Sequence, residues 1–481
     1  MFNESPFKVL AILTPFMLSA CSISPELKTP AVPQVTTYTH EGELVSLDQK
    51  LSMGNRIAGD WWSLFSSKPL DSLIRQAIAS NHDLATAEET MKQAQEAANA
   101  ADGSLMPQVA LNGAAGRQRY GVAMFGPSNF SIPPFSYYEV GPSISWSPDL
   151  FGAAHHAVDE QKAQAAYEAH RFDAAYLTLT GNTVAETLEL ASANDELDTI
   201  KGIVTNDEQI LTLVEHAYST GTSSSTDVLN AKEQLLADRA MLPAMENRLS
   251  ASRHSLAILV GQSPSEWTPP QMRLANFSLP ASIPLSLPSD LAKNRPDVLA
   301  AQANLDAAAA AFGVASANLY PNVVLSANML QEALTPAGLL KGAAEAWALA
   351  ASVSAPIFDG GTLSAQKREA RHAYNAALSS YQQVVLNAFG EVADALTSLA
   401  NDDASVSIQN SAADAAGRTL EIAMNKYRVG EIGLMEVQNA QRYYAQAQLG
   451  LIQARHQQYL DCAKLFVALG NAPVQATPPA N

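Results

Sequence analysis

The sequence predicts a mainly α chain with a small membrane β part: long antiparallel coiled-coil helices and four strands, written as two internal repeats. Three observations predict it. Arg295–Leu325 has a weaker copy at Asn81–Leu111, in which Asp83 matches Asp297 and Pro107 matches Pro321, each 214 positions apart. Two stretches of more than 60 residues, Ala153–Tyr218 and Leu363–Tyr427, contain no proline and repeat apolar residues every three or four positions. Four further segments of about 10–13 residues alternate apolar and polar side chains, a length suited to a tilted bilayer crossing as β-strand.

Composition sets the outer bounds. A chain of 481 residues is large for one soluble domain. A net charge of −18 excludes a nucleic-acid surface, because no basic stripe exists to neutralise phosphates. Charged residues make up 16%, below the roughly 25% of soluble domains. Ala, Ser, Asn and Gln take their place, which suits helices packed into a neutral wall.

Taken in order, residues 1–20 read as an export signal. It has a weakly charged start and an apolar run, Val9–Leu18, interrupted by Pro15. Leu18-Ser19-Ala20-Cys21 is a lipobox, so processing leaves Cys21 as the lipidated N-terminus, carrying a diacylglycerol and an N-acyl chain. Ser22 after it resembles bacterial lipoproteins sorted to the outer membrane. Residues 21–60 form a lipid-anchored extended arm. Repeat one spans 61–261. Its helical run Leu70–Leu105 stops at Pro107, since proline cannot continue a helix and biases the preceding residue to extended geometry. Strands at Pro107–Tyr120 and Ser136–Trp146 flank a loop at Gly121–Phe135. The long helix Ala153–Tyr218 comes next, roughly 100 Å at 1.5 Å per residue. After a turn comes Asp227–Leu259, with a kink expected at Pro243.

Residues 262–293 are a Pro-rich crossover. Repeat two, 294–471, runs Asp297–Leu319 as helix, Pro321–Gln331 and Ala346–Phe358 as strands, Leu363–Tyr427 as the second long helix, and Met435–Leu469 as the last. Residues 472–481 are a flexible tail. The uncharged run Ala307–Gln331 is long enough to span as a helix, but Pro321 and its Asn and Ser content argue against that. In each repeat two short helices stack end to end beside a long one. Four strands cannot close a barrel, and open edges in lipid cost several kcal/mol per unpaired backbone group. The chain must therefore oligomerise. Cys462, in an apolar helical stretch, is expected as a small core residue with no disulfide.

RPDV at Arg295–Val298, followed by an Ala-rich helix and Tyr320-Pro321, resembles the signature of the outer-membrane efflux protein family, the TolC-like group, in its OprM/NodT lipoprotein branch. Trp61-Trp62-Ser-Leu-Phe65, Leu70-Asp-Ser-Leu-Ile74 and Asn387-Ala-Phe-Gly-Glu391-Val-Ala-Asp394-Ala-Leu396 resemble further motifs of that branch. The match covers about residues 55–471. Gln302 departs from the family's usual Glu, which alters a local contact. The resemblance implies a homotrimer with a periplasmic α-barrel and one 12-stranded β-barrel, and a belt built from the crossover and the chain ends. It implies location in the outer membrane, a periplasmic adaptor, and an inner-membrane pump of the resistance-nodulation-division type as partners. The implied function is passive conduction of small toxic or amphiphilic compounds. A type I protein-secretion channel is the alternative within this class. A non-conducting lipid-anchored coiled-coil scaffold is the alternative outside it, and a scaffold has no need of four strands.

Tyr218–Leu229 and Tyr427–Val437 read as hairpin tips. The resemblance makes them the periplasmic gate, with Asp227, Asn230, Glu436 and Asn439 as gate residues and Gly221, Gly430 and Gly433 as turn and adaptor-contact positions. Many relatives carry Asp where Asn439 stands. Asp227 and Glu436 could equally cap the helices they begin, through the macrodipole, and the two roles are compatible. The glycines suit positive φ. Thr222–Thr226 could be a flexible polar tip. There is no HExxH, GxSxG or Walker A, and the sequence predicts no enzyme. His155 and His156, near Asp159 and Glu160, point to different helix faces and make a poor metal site.

Overall fold

The structure, a computed structural model, describes residues 37–39, 50–54, 57–119 and 133–470. The signal 1–20, Cys21, most of the arm, the greater part of the Gly121–Phe135 loop and the tail 472–481 lie outside the described residues. The described chain forms two compact units. One holds Met91–Tyr167 and Ala301–Tyr381; the other holds the rest.

The helices match the sequence pattern with two corrections and one addition, a short helix at Pro288–Asn294 at the end of the expected crossover. The run expected as one helix, Leu70–Leu105, is two: α1 (Lys68–Ser80) and α2 (His82–Ser104). Asn81 between them is extended, with ψ 126°, and its Oδ1 accepts from the Leu84 amide at 2.9 Å to start α2. After α3 (Ala153–Ser219), α4 (Ser225–Arg239) and α5 (Leu242–Leu259) replace the single kinked helix expected over Asp227–Leu259. Pro243 sits in the first turn of α5, where its missing N–H forfeits no helical hydrogen bond. The second half carries α6 (Pro288–Asn294), α7 (Pro296–Ala317), α8 (Thr362–Arg428) and α9 (Leu434–Ala468). α3 and α8 are 67 residues each, roughly 100 Å long, and end within a residue or so of the expected limits.

Four strands build the sheet of the first unit: β2 (Gln108–Gln118), β3 (Phe135–Trp146), β5 (Asn322–Ala333) and β6 (Glu345–Ser354), antiparallel in the order β2-β3-β5-β6. β2 and β5 each start just after a proline, Pro107 and Pro321. Ala307–Gln331 is accordingly split between α7 and β5. β6 stops at Ser354, short of the expected Phe358, just ahead of Pro356. Pro142 lies inside β3, an internal strand, and pairing with β5 lapses between Val140↔Gln331 and Ser143↔Asn328. A proline there has no N–H to give. Beside it Gly141 is obligatory, because a Cβ would overlap the Met329 carbonyl oxygen.

A second, parallel sheet has no local sequence signal. β1 (Lys50–Met53), from the arm, pairs with β4 (Ser282–Leu285), from the crossover. By sequence the first stretch reads as an extended arm and the second as a Pro-rich crossover, with neither marked as a strand. In the same unit Trp61, Phe65 and Phe466 are fully buried, with Phe466 5.9 Å from each of the other two rings. Fully burying such a side chain stabilises by roughly 1.5–3 kcal/mol. Trp62 Nε1 donates to Asp71 Oδ1 at 3.0 Å, which ties the tryptophan motif to the Leu70–Ile74 motif. In the other unit Leu305 of α7 packs on Tyr374 and Ala377 of α8.

Helix ends meet head to tail at two matching joints. Asn81 Nδ2 donates to the Leu259 carbonyl at 3.0 Å, at the end of α5. Arg295, the residue 214 positions on, donates to the Ala468 carbonyl at 3.1 Å, at the end of α9. Its guanidinium also binds Asp297 at 2.8 Å and Glu391 of α8. RPDV and the Ala-Phe-Gly-Glu-Val segment are thus two sides of one joint, where carbonyls left open at a helix end find donors.

Candidate functional site

The two turns that end the long helices are built alike. Gly221 has φ +76° and Gly430 φ +78°, a left-handed geometry that glycine adopts without strain. At the first turn the Thr222 amide donates to the Ala217 carbonyl at 2.8 Å and the Gly221 amide to Tyr218 at 3.0 Å. At the second, Glu431 donates to Lys426 at 2.9 Å and Gly430 to Tyr427 at 3.0 Å. This pair of bonds is the Schellman ending, which satisfies carbonyls that a helix terminus leaves open. Gly433 is different. Its φ is −79° and it serves as the N-cap of α9, so the expectation of positive φ holds at two of the three glycines and fails there.

The helix start beyond each turn separates the acidic residues. Ser224 caps α4, and Asp227 completes a capping box: Asp227 Oδ2 accepts from the Ser224 amide at 2.9 Å, the Ser224 hydroxyl at 2.8 Å and the Ser223 hydroxyl at 2.9 Å. The Ser224 amide foremost, then the two hydroxyls, hold the Asp227 carboxyl below its ordinary pKa. Glu436 holds the corresponding third position in α9, but the N-cap there is a glycine with no side chain to exchange. The Glu436 carboxylate makes no hydrogen bond or ion pair among the described residues and is exposed. Asn230 and Asn439, one turn further on, are exposed as well.

Asp227, Asn230 and Gly433 are brought together around a cavity of about 370 Å³ between the two turns, with Thr222, Ser223 and Tyr427. Gly221, Gly430, Glu436 and Asn439 are not part of its lining. Gly221 and Gly430 face open space, since an added Cβ would meet nothing within 4 Å. Thr222 is tied to the Ala217 carbonyl through its hydroxyl at 2.9 Å, so the polar stretch is hydrogen-bonded rather than loose. The Ser224-x-x-Asp227 spacing could have announced the capping box from sequence alone.

The remaining candidates lie elsewhere. Cys21 falls outside the described residues. Cys462 is fully buried and free, and burial pushes its thiol pKa up, so it stays a protonated core residue. His155 Nδ1 lies 2.6 Å from Asp149 Oδ2, while a Cβ on Gly313 would meet the His156 ring, so the two imidazoles serve separate contacts. Among the described residues no group of three or more His, Cys, Asp or Glu could hold a metal ion.

Comparison with known proteins agrees with this geometry. The family model described as "Outer membrane efflux protein" matches residues 73–262 and 287–471. The pyoverdine export outer membrane protein OpmQ of Pseudomonas aeruginosa is 27% identical over 87% of this chain and 89% of its own length. Nodulation protein T of Rhizobium leguminosarum bv. viciae is 26% identical over 98% and 95%. Among solved structures, the outer-membrane channel OprN superposes with a TM-score of 0.85 at 25% identity, covering 94% of this chain and 99% of that one. The CmeC outer membrane channel of Campylobacter jejuni gives 0.87 at 20% identity, over 95% and 96%. A helical chain with this sheet, these turns and this joint, matched by one family over most of its length, belongs to the outer membrane efflux protein family, the TolC-like channel components of the outer membrane.

Proposed function

We propose that the chain is the passive exit duct of a tripartite efflux system, carrying small toxic or amphiphilic compounds from periplasm and pump to the exterior. One observation carries this reading: among the described residues the sheet β2-β3-β5-β6 leaves β2 and β6 as unpaired edges and exposes Leu111, Trp347 and Leu349. Edges in lipid leave backbone groups unmet at several kcal/mol each. Three copies joined edge to edge satisfy them in a 12-stranded barrel. The halves 61–261 and 294–471 act as internal repeats joined by 262–293. Relatives are named for export of pyoverdine, solvents and cations, which supports a duct whose cargo is chosen elsewhere. The energy comes from an inner-membrane pump, of resistance-nodulation-division type.

In this reading the two turns face the periplasm. Gly221, Gly430 and Gly433 form the surface met by the adaptor. Glu436, free of local bonds, supplies the carboxylate ring in a trimer and favours cations, with Asn439 beside it. Asp227, committed to its cap, and Asn230 shape the tip rather than the charge of the aperture. Lipid chains on Cys21 anchor the mature N-terminus.

Deleting the gene should make cells hypersensitive to a subset of a toxic-compound panel; full resistance throughout would sink the efflux reading. In planar bilayers Glu436→Ala should raise conductance or weaken cation preference, whereas unchanged currents would remove Glu436 from the gate. Gly430→Val should impair efflux while leaving trimers intact, and normal efflux would retire the adaptor contact. Cys21→Ser should abolish labelling by palmitate.

A further inference from the structure

We propose that a cavity in the helix wall, separate from the turns, binds a small organic monocation, an alkylammonium whose N–H groups engage Asp207 and Asp238. The inference goes beyond the duct reading and does not depend on it. The cavity measures about 670 Å³ and lies among α3, α4, α8 and α9, a volume that suits a small-molecule ligand. Asp207 on α3 and Asp238 on α4 both line it, their carboxyls within hydrogen-bond reach of each other, acceptor against acceptor. Asp207 is only 8% exposed, yet its Oδ2 receives no hydrogen bond among the described residues. Asp238 Oδ2 accepts from Gln234 at 2.7 Å, which leaves its other oxygen for the cavity. By contrast Glu196, also deeply buried on α3, is held by Ser192 at 2.9 Å and by Arg248 at 3.0 Å. A buried acceptor without a donor is costly unless something else supplies one.

Charge and shape define the occupant. With both carboxyls ionised, above pH about 7, they and Arg442 of α9 leave a local charge of −1, and α8 contributes only the neutral Gln409 and Ala412. The adjoining Glu208 is neutralised by Arg239 at 2.5 Å. One positive charge therefore completes the site. A metal ion fits less well: no third carboxylate, His or Cys joins the pair among the described residues, and Arg442 opposes a divalent ion. Ile203, Met241 and Leu449 offer apolar walls for the body of an amphiphile. A proton competes for the same place. Burial first, then the Asp238 carboxyl, push the Asp207 pKa up to about 7 against the pull of Arg442. Affinity should therefore fall as pH drops through that value.

The test uses the full chain in lipid nanodiscs, titrated with the fluorescent amine dansylcadaverine and read by anisotropy against empty discs. Saturable binding at pH 8, with one probe per chain, is expected. Affinity should fall about tenfold at pH 6, in step with the ionised fraction of Asp207. Asp207→Asn and Asp238→Asn should each weaken binding about tenfold or more, as loss of a charged hydrogen bond does. Ala412→Trp should fill the cavity and weaken it too, while Glu208→Gln should leave it unchanged. Should Asp207→Asn lose its helical circular dichroism, Asp238→Asn and Ala412→Trp decide alone. Equal binding of the N-acetylated neutral probe, unaltered affinity in the folded variants, or competitive displacement by millimolar Mg²⁺ would each overturn the assignment.

Discussion

Single residues divide here into those already satisfied and those left with something to bind. Ser224 belongs to the first group: its hydroxyl accepts from the Asp227 amide and closes the start of α4. Ser224→Ala should cost about 1 kcal/mol locally, seen as hydrogen exchange several-fold faster at the first turn of α4 with the rest of the chain unchanged. Asp207 belongs to the second. Its raised pKa, about 7, means that the folded chain holds a proton more tightly than the unfolded one. The associated stability is complete below the unfolded value near 4 and is lost as pH rises through about 7. Asp402, lifted likewise to about 7 by burial and then by Asp461, adds to the same slope. Wild-type chain should therefore unfold at lower denaturant at pH 8 than at pH 5. Asp207→Asn should flatten the difference, and the double variant with Asp402→Asn should flatten it further. A slope identical in all three would show that neither carboxyl is the cause.

Between elements, the decisive contacts are the two head-to-tail joints. Each closes open carbonyls at the C-terminus of one helix with a side chain from the start of another, Asn81 for α5 and Arg295 for α9. Arg295→Met keeps much of the apolar stem but leaves the Ala468 carbonyl without this donor. It should cost about 1–3 kcal/mol, measured as a lower denaturation midpoint. Glu391→Gln should cost less, because that carboxylate is 56% exposed and water screens it. Equal effects from the two would mean that the ion pair, not the carbonyl bond, holds the joint. The RPDV and Ala-Phe-Gly-Glu-Val motifs were legible in the chain as a family mark. That they touch each other was not, because residues 96 apart carry no local signal of contact.

For the whole molecule, the prediction is stoichiometry. Three copies of the chain should migrate together in mild detergent, and cysteines placed on facing β2 and β6 positions should cross-link only between chains. A monomer in that measurement would end the shared-barrel reading. The sequence by itself determined the long helices, the four strands and the places where the chain turns, since periodicity, proline and glycine act through the nearest few residues. It also marked Asp227 and Glu436 as equivalent acidic positions. Asp227, bonded to its own cap, and Glu436, left unbonded after a glycine cap, differ for a local reason that the Ser224 and Gly433 positions already carry in the sequence. Tertiary structure decided what local pattern cannot carry: the β1–β4 pairing, the joints at Asn81 and Arg295 with distant helix ends, and the facing of Asp207 with Asp238. The reason is physical. Helix and strand are fixed by neighbours along the chain, whereas partnership between side chains depends on which distant backbone folding brings alongside.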